Sequence, residues 1–392
     1  MLASRHIVLG VSGGVAAYKA VHLARELTKA GAEVRVIMTD SASAFVGEAS
    51  FAAVTGSHPT VGLFGDEDVS PHTTLARWAD AIVVAPLTAS TLSRLASGQS
   101  SDALVATILA AQVPVVLAPA MHTEMWEHPA TRRNLATVVA DGCVIVGPEP
   151  GELAGGDVGM GRMSEPEAIV TAVASALTPH DLMDTVVLIT AGGTREPIDP
   201  VRYIGNRSSG KMGNALAAAA SARGADVILI TSAPAPADPS IEVISVATAE
   251  EMAEAAWART ADADIAILAA AVADFRPIRA SDAKIRRADG VPEIALEPTP
   301  DVLAGVVERN PDAFVVGFAA ESGSLEAIGD KARDKRVDLL VANDVAKPDS
   351  GFGTDTNEVV LVRSDGTLEA LPLMTKVAVA HAVLDAVVAA RA

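Results

Sequence analysis

The sequence predicts an α/β protein built from two tandem three-layer modules with mainly parallel sheets. Three observations carry that prediction. A grammar of strand, Gly-rich turn, helix and strand occurs near the start of the chain and again near its middle. Short continuous apolar runs recur between helical segments, as strands buried on both faces require. Of the 392 residues, 50% are apolar and only 3% aromatic, a composition that suits layered α/β packing.

Taken in order, the first module opens with the strand His6-Ile7-Val8-Leu9 and the turn GVSGGVAAYKA. A helical pattern then runs to Lys29, followed by Gly31 and the strand Val34 to Met38. The second module repeats this with Val186 to Ile189, the turn AGGTREP, a long loop and an Ala-rich helix from about Met212 to Arg223. Gly224 and the strand Val227 to Thr231 complete it. Both halves are therefore Rossmann-like. Apolar runs at Ala81 to Pro86, Val113 to Pro119, Ile265 to Ala271 and Phe314 to Phe318 supply further parallel strands. The stretch Leu177 to Asp184 joins the halves, because its proline and polar residues end a helix before a new strand begins; the expected domains are 1–182 and 183–392. Ala233 to Pro239 reads as a loop and Met374 to Ala392 as a closing helix.

Composition excludes several functions. With 49 acidic against 30 basic side chains, a formal charge of −19 argues against general nucleic-acid binding. No apolar run reaches the ~18 residues of a membrane span. MLASRHIVLG leads straight into a strand rather than a signal peptide, so a cytoplasmic protein is expected. Cys143 is the single cysteine, which excludes an intramolecular disulfide and a Cys-rich zinc site; its setting predicts a buried strand residue.

In the first module, Ser12-Gly13-Gly14 would place backbone N–H groups and a helix N-terminus near a phosphate. That turn alone also fits nicotinamide enzymes and turns with no ligand. However, PHTTLARWAD at 71–80, APLTASTLSRLASGQSSD at 85–102 and PAMHTEMW at 119–126 follow successive strands in order. Together these motifs resemble the flavin-containing cysteine decarboxylases over roughly residues 5 to 175. The resemblance implies a flavodoxin-like flavoprotein domain binding FMN between subunits of a trimer. It also implies oxidation of a substrate cysteine thiol before its carboxylate leaves, since hydride removal creates a thioaldehyde able to accept the electrons left by CO2. His72 matches the family's catalytic histidine. Ser12, Gly13, Gly14, Thr39, Thr88 and Ser90 match flavin contacts, although any one hydroxyl could instead serve as a cap or turn residue.

Two departures stand out. The segment PAM is usually followed by Asn, which orients the substrate carboxylate, and here by His122. The flap that usually reads Ala-Cys-Gly, whose thiol protonates the enethiolate, reads Leu153-Ala154-Gly155-Gly156-Asp157. Another acid or water then takes the thiol's role, the half-reaction stops at an oxidised product, or the module is a scaffold. His122, a candidate catalytic residue, can supply a proton or contact a carboxylate; the alternative is a solvent-exposed loop histidine.

The second module opens on TAGGTREPIDPVRYIGNRSSGKM (190–212), where a Gly-rich turn, three arginines, a lysine and serines crowd together in an acidic chain. Such a loop is suited to hold anionic oxygens. AAAVADFRP at 269–277, DAKIRR at 282–287, TPDVL at 299–303, GFAAES at 317–322 and KARDKRVDLLVAND at 331–344 follow. The series resembles the phosphopantothenate–cysteine ligase domain, and the two modules in this order resemble the bacterial fused ligase/decarboxylases of coenzyme A synthesis. The charges agree: 276–287 holds five basic side chains and one acidic, and 331–336 four and one.

The implied reaction joins 4'-phosphopantothenate to cysteine. Its carboxylate attacks the α-phosphate of CTP, and cysteine displaces CMP from the acyl-cytidylate, with Mg2+ and lysines neutralising the departing pyrophosphate. By motif position Lys284 is catalytic and sits on the triphosphate beside Lys331 and Lys335. Pro300, Asp301, Val302 and Leu303 belong to the CTP site, and Phe318 lies against the cytidine. Asp274 contacts nucleotide or metal, and the amide of Asn206 holds the acyl-cytidylate carbonyl. The resemblance further implies decarboxylase trimers joined by ligase dimers into a dodecamer.

Two rival readings remain at this stage. A two-domain NAD-dependent oxidoreductase needs an acidic residue after each second strand; Asp40 suits it, Thr231-Ser232 does not. Alternatively, a degenerate first module serves as an oligomerisation scaffold for a working ligase, which the missing flap thiol favours and the intact PHTTLARWAD opposes.

Overall fold

The computed structural model describes residues 2–63, 70–286, 291–321, 334–344, 351 and 353–391. The chain divides into two compact units, Met1–Pro179 and His180–Ala392.

The first unit runs β1 (His6–Val11), α1 (Ala17–Lys29), β2 (Glu33–Met38), α2 (Glu48–Thr55), α3 (Pro71–Trp78), β3 (Ala81–Leu87), α4 (Ala89–Ala96), α5 (Ala103–Ala110) and β4 (Val115–Pro119). It continues with α6 (Thr123–Glu127), α7 (Pro129–Ala140), β5 (Val144–Ile145), a hairpin of β6 (Glu149–Glu152) and β7 (Val158–Arg162), and α8 (Pro166–Ala176). Its five-stranded parallel sheet has the order β2-β1-β3-β4-β5, the flavodoxin-like arrangement, whose ligand crevice lies at the carboxyl ends of the strands flanking β1. Alternation along β1 explains the layers. Ile7 and Leu9 pack with Leu23 and Leu27 of α1 and Val173 of α8, while Val8 packs with Leu92 of α4 and Leu104 of α5 on the other face.

The second unit contains β8 (Val186–Ala191), a hairpin of β9 (Arg195–Pro197) and β10 (Tyr203–Gly205), α9 (Lys211–Ala222), β11 (Asp226–Thr231), β12 (Glu242–Ser245) and α10 (Ala249–Arg259). Then come β13 (Ile265–Leu268), a second hairpin of β14 (Phe275–Pro277) and β15 (Leu296–Pro298), α11 (Val302–Arg309), β16 (Phe314–Glu321), β17 (Leu339–Asp344), β18 (Thr356–Arg363), β19 (Leu368–Thr375) and α12 (Lys376–Arg391). Its eight-stranded sheet has the order β12-β11-β8-β13-β16-β17-β18-β19. The first six strands are parallel and the last two antiparallel. Helices α9 and α12 cover one face, and α10 and α11 the other.

Two features differ from the sequence expectation. Three hairpins lie in stretches whose apolar signal is too short or too irregular to announce a strand, and the antiparallel pair β18–β19 was not expected although β18 carries the apolar run Val359 to Val362. Cys143 is half-buried in the turn before β5 rather than within a buried strand, and burial, helped by Asp141, pushes its thiol pKa up.

Candidate active sites

In the second unit a cleft of about 670 Å3 opens at the carboxyl ends of β8, β13 and β16. Its wall is a turn, 270–274, fastened to the end of β8. Ala271 N–H donates to Gly192 O (2.8 Å), Ala270 N–H to Thr190 Oγ1 (3.2 Å) and Ala273 N–H to the buried Thr194 Oγ1 (2.9 Å). Thr299 Oγ1 donates to Ala273 O at 2.5 Å from the opposite side. These bonds satisfy the backbone of the loop, and they hold exposed Asp274 at the cleft.

Of the residues expected here, Asn206, Asp274, Pro300, Asp301, Val302, Leu303, Phe318 and Lys335 all line the cleft. Their local roles are more specific than the motifs suggest. Asn206 Nδ2 donates to Val272 O (2.9 Å) and weakly to Ala271 O (3.4 Å), so the second of these N–H groups is the easier to release to a ligand. Asp301 caps α11, its carboxylate accepting from Ala304 N–H at 2.9 Å. Phe318 is half-buried on β16, beside the core built around α9 and α12.

The cationic side chains are distributed differently from the expectation. Arg195 lies over the Tyr203 ring, Arg202 pairs with Asp199, and Arg276 pairs with Glu250 and Glu297; none of the three lines the cleft. The lysines that do are Lys335, Lys211 and Lys376. Lys376, 6% exposed at the start of α12, donates to Gly351 O (2.9 Å) and Thr354 O (2.6 Å). Burial, and then nearby Lys211, lower its pKa against the pull of Asp355. Lys211 donates to Asp355 Oδ1 at 2.6 Å and thereby lowers that carboxyl's pKa. Gly210, with φ of 76°, lets the chain turn into α9, and no side chain caps that helix. Its first-turn N–H groups beside Lys211 suit an anion. Sequence reading passed over Lys376; the signal was a lone lysine in the apolar run LPLMTKVAVA.

Lys284 is exposed and is not among the residues lining the cleft. Its segment is tied to the turn after β9: Ser281 N–H donates to Ile198 O (2.9 Å), Arg202 Nη2 to Ile285 O (2.9 Å) and Ile285 N–H to Asp199 Oδ2 (3.2 Å). Burial opposes ionisation of Asp199, yet backbone N–H groups of Val201, Arg202 and Ile285 hold its pKa down. Lys331 lies outside the described residues.

In the first unit, Ser12, Thr39 and Thr88 follow β1, β2 and β3 and so share the carboxyl edge of three adjacent strands. The buried Ser12 hydroxyl donates to Pro86 O (2.7 Å) and accepts from Thr88 N–H (3.0 Å), which locks the two turns together. Thr88 caps α4. Thr39 Oγ1 lies 3.1 Å from Ser41 Oγ, and a Cβ at Gly13 would strike Ser41, so only glycine fits there; Gly14 faces Thr88. These hydroxyls therefore shape the crevice, leaving backbone N–H groups of the turn for a phosphate. Ser90 is exposed on α4. His72 stands in the first turn of α3, half-buried, and its buried Nδ1 has no hydrogen-bond partner among the described residues. A buried nitrogen left without a partner is the kind of group a bound ligand or water satisfies. His122 is exposed at the N-cap of α6.

Residues 1–178 match the family profile described as Flavoprotein, and residues 182–390 match the DNA/pantothenate metabolism flavoprotein C-terminal domain. The coenzyme A biosynthesis bifunctional protein CoaBC of Mycobacterium bovis is 46% identical over 405 residues, covering 98% of this chain and 96% of the relative. Those of Bacillus subtilis and Escherichia coli are 43% and 42% identical, each over 99% of this chain and 98% and 97% of the relative. The solved C-terminal domain of a CoaBC protein is 37% identical, covers 53% of this chain and 96% of its own, and has a TM-score of 0.45. With such identity along nearly its whole length, the chain belongs to the CoaBC family of bifunctional enzymes of coenzyme A biosynthesis.

Proposed function

We propose that the unit from about residue 183 couples 4'-phosphopantothenate to cysteine at the expense of CTP, and that the unit before it decarboxylates the product to 4'-phosphopantetheine with FMN. The observation that carries the ligase half is convergence: residues at 206, 274, 300–303, 318 and 335, far apart in sequence, share one cleft. Phe318 offers an apolar face to the base, and the α9 N-terminus with Lys211, Lys335 and Lys376 offers cationic partners to phosphates. By motif position Lys284 and Lys331 complete the set of phosphate partners. Asn206 releases its weaker carbonyl contact to hold the acyl oxygen, where negative charge grows as cysteine attacks. Among the described residues no three His, Cys, Asp or Glu converge as a metal cage. By motif position Mg2+ would be held by Asp274 together with the phosphates.

In the first unit Gly13 and Gly14 would bind the FMN phosphate, in a crevice shaped by Ser12, Thr39, Thr88 and Ser90. FMN, when bound, supplies a two-electron acceptor and donor. His72 moves a proton at the substrate or holds its carboxylate, and His122 stands on the segment that faces the substrate. No described helix is long and apolar enough to cross a membrane. A cytoplasmic homo-oligomer, with decarboxylase trimers linked by ligase dimers into a dodecamer, completes the proposal. Family membership removes the nicotinamide reading.

A ligase carried on an inactive scaffold is favoured by one observation, the glycine at 155. Purified protein separates the two readings. A yellow preparation that releases pyrophosphate and CO2 from CTP, 4'-phosphopantothenate and cysteine supports both activities; colourless protein that releases only pyrophosphate leaves the scaffold.

A further inference from the structure

The two positions at which the first unit departs from the usual motifs, 122 and 155, meet in space. A Cβ placed on Gly155 would lie 3.1 Å from Cε1 and 3.9 Å from Nε2 of His122, and 3.3 Å from Oδ2 of Asp157. The start of any side chain at 155 is thus already faced by an imidazole edge and a carboxylate. The juxtaposition is built in by the backbone. Met121 N–H donates to Gly161 O at 3.0 Å, Leu153 N–H donates to Asp157 O at 2.7 Å, and Gly156 N–H donates to Leu153 O at 2.9 Å. The first bond holds the β6–β7 hairpin against residues 121–123 and the other two close its turn, and Gly159 leaves no room for a side chain against Thr123. His122 makes no cap bond to α6, whereas His128 spends its Nδ1 on Ala130 N–H to cap α7. One histidine is used by the fold, and the other, exposed at the start of α6, remains available beside the flap.

We propose that His122 is the proton donor of the decarboxylase, its ring lying against the point where a side chain at position 155 would begin. The inference rests on the decarboxylase reading above. Loss of CO2 breaks a carbon–carbon bond and leaves its electron pair on an ene-thiolate. The His122 N–H bond breaks as a C–H bond forms at the carbon that lost CO2, giving a thioaldehyde and a neutral ring. FMN, when bound, would supply the two electrons that the thioaldehyde carbon needs to become the saturated thiol, the same two removed when the substrate thiol was oxidised, which closes the electron balance. The exposed ring recovers its proton from water, and Asp157 brings a carboxylate to the same point as a partner for the ring's other N–H.

The test is an anaerobic single turnover of the FMN-loaded full-length protein with phosphopantothenoylcysteine. Product mass is measured per CO2 released, and the flavin absorbance is followed alongside. The wild type is expected to yield the saturated thiol and regain its oxidised band. His122→Asn should yield a product two hydrogens lighter while the band stays bleached, and His122→Asn/Gly155→Cys should restore both. A saturated thiol from His122→Asn, no restoration in the double variant, or only the lighter product from wild type overturns the proposal. Wild-type protein that releases no CO2 removes the decarboxylase reading itself, and this inference with it.

Discussion

At the scale of single residues, the two candidate sites spend their polar groups in opposite ways. In the first, Ser12 and Thr88 bond to each other's turns and His72 keeps a buried nitrogen without a described partner. In the second, the Lys376 ammonium is buried against carbonyls at the cleft. His72→Asn is expected to stop CO2 release and leave pyrophosphate release intact, and continued decarboxylation would remove His72 from the mechanism. Lys284→Gln should lower pyrophosphate release by about 100-fold or more, the order expected when one transition-state charge partner is lost, with the yellow colour retained; an unchanged rate would show that the Asp199-anchored segment does no chemistry. For Lys376 the folded pKa lies below its ordinary 10.5, so the unfolded chain binds more protons between the two values. Its contribution to stability is therefore fully present above 10.5 and lost as pH falls through the folded pKa. In paired thermal melts, wild-type stability relative to Lys376→Met should climb with alkaline pH and then level off; a flat difference contradicts this.

Between elements, one ionic cluster stands out in the second unit. Arg223 is 1% exposed at the end of α9 and binds Asp181 through Nε (2.7 Å) and Nη2 (2.5 Å), and Asp385 of α12 through Nη1 (2.6 Å). It therefore joins the start of the unit to its last helix. The bidentate bond to Arg223 lowers the Asp181 pKa against the effect of burial. Asp181→Ala should cost about 1–3 kcal/mol, because it leaves the buried guanidinium short of an acceptor. Asp385→Ala, at the more exposed partner, should cost under about 1 kcal/mol. The Asp181 contribution is present above the unfolded pKa of about 3.8 and lost as pH falls through the lower folded value. Urea titrations of both variants check the order, and a larger loss for Asp385→Ala would reverse the assignment of which partner matters.

For the whole molecule, the parallel strands and covering helices were legible because continuous runs such as Val186 to Ile189 have one stable home, a sheet covered on both faces. The β9–β10 and β14–β15 hairpins were not, since three-residue strands carry no period; β18 does carry the apolar run Val359 to Val362, but a run of that kind does not distinguish an antiparallel edge from another parallel strand. Glycine turns and motif order located Asn206, Asp274 and Phe318 near the cleft. Charge counting misdirected the reading toward Arg276, because composition cannot show that Glu250 and Glu297 already neutralise it. It also missed Lys376, whose importance comes from burial. The central claim is that this cleft grips a cytosine triphosphate, and isothermal titration calorimetry with CTP and Mg2+ tests it most directly. Saturable heat from CTP that weakens on Phe318→Ala or Lys335→Gln is the predicted result; no heat of association from the intact wild-type protein contradicts the account.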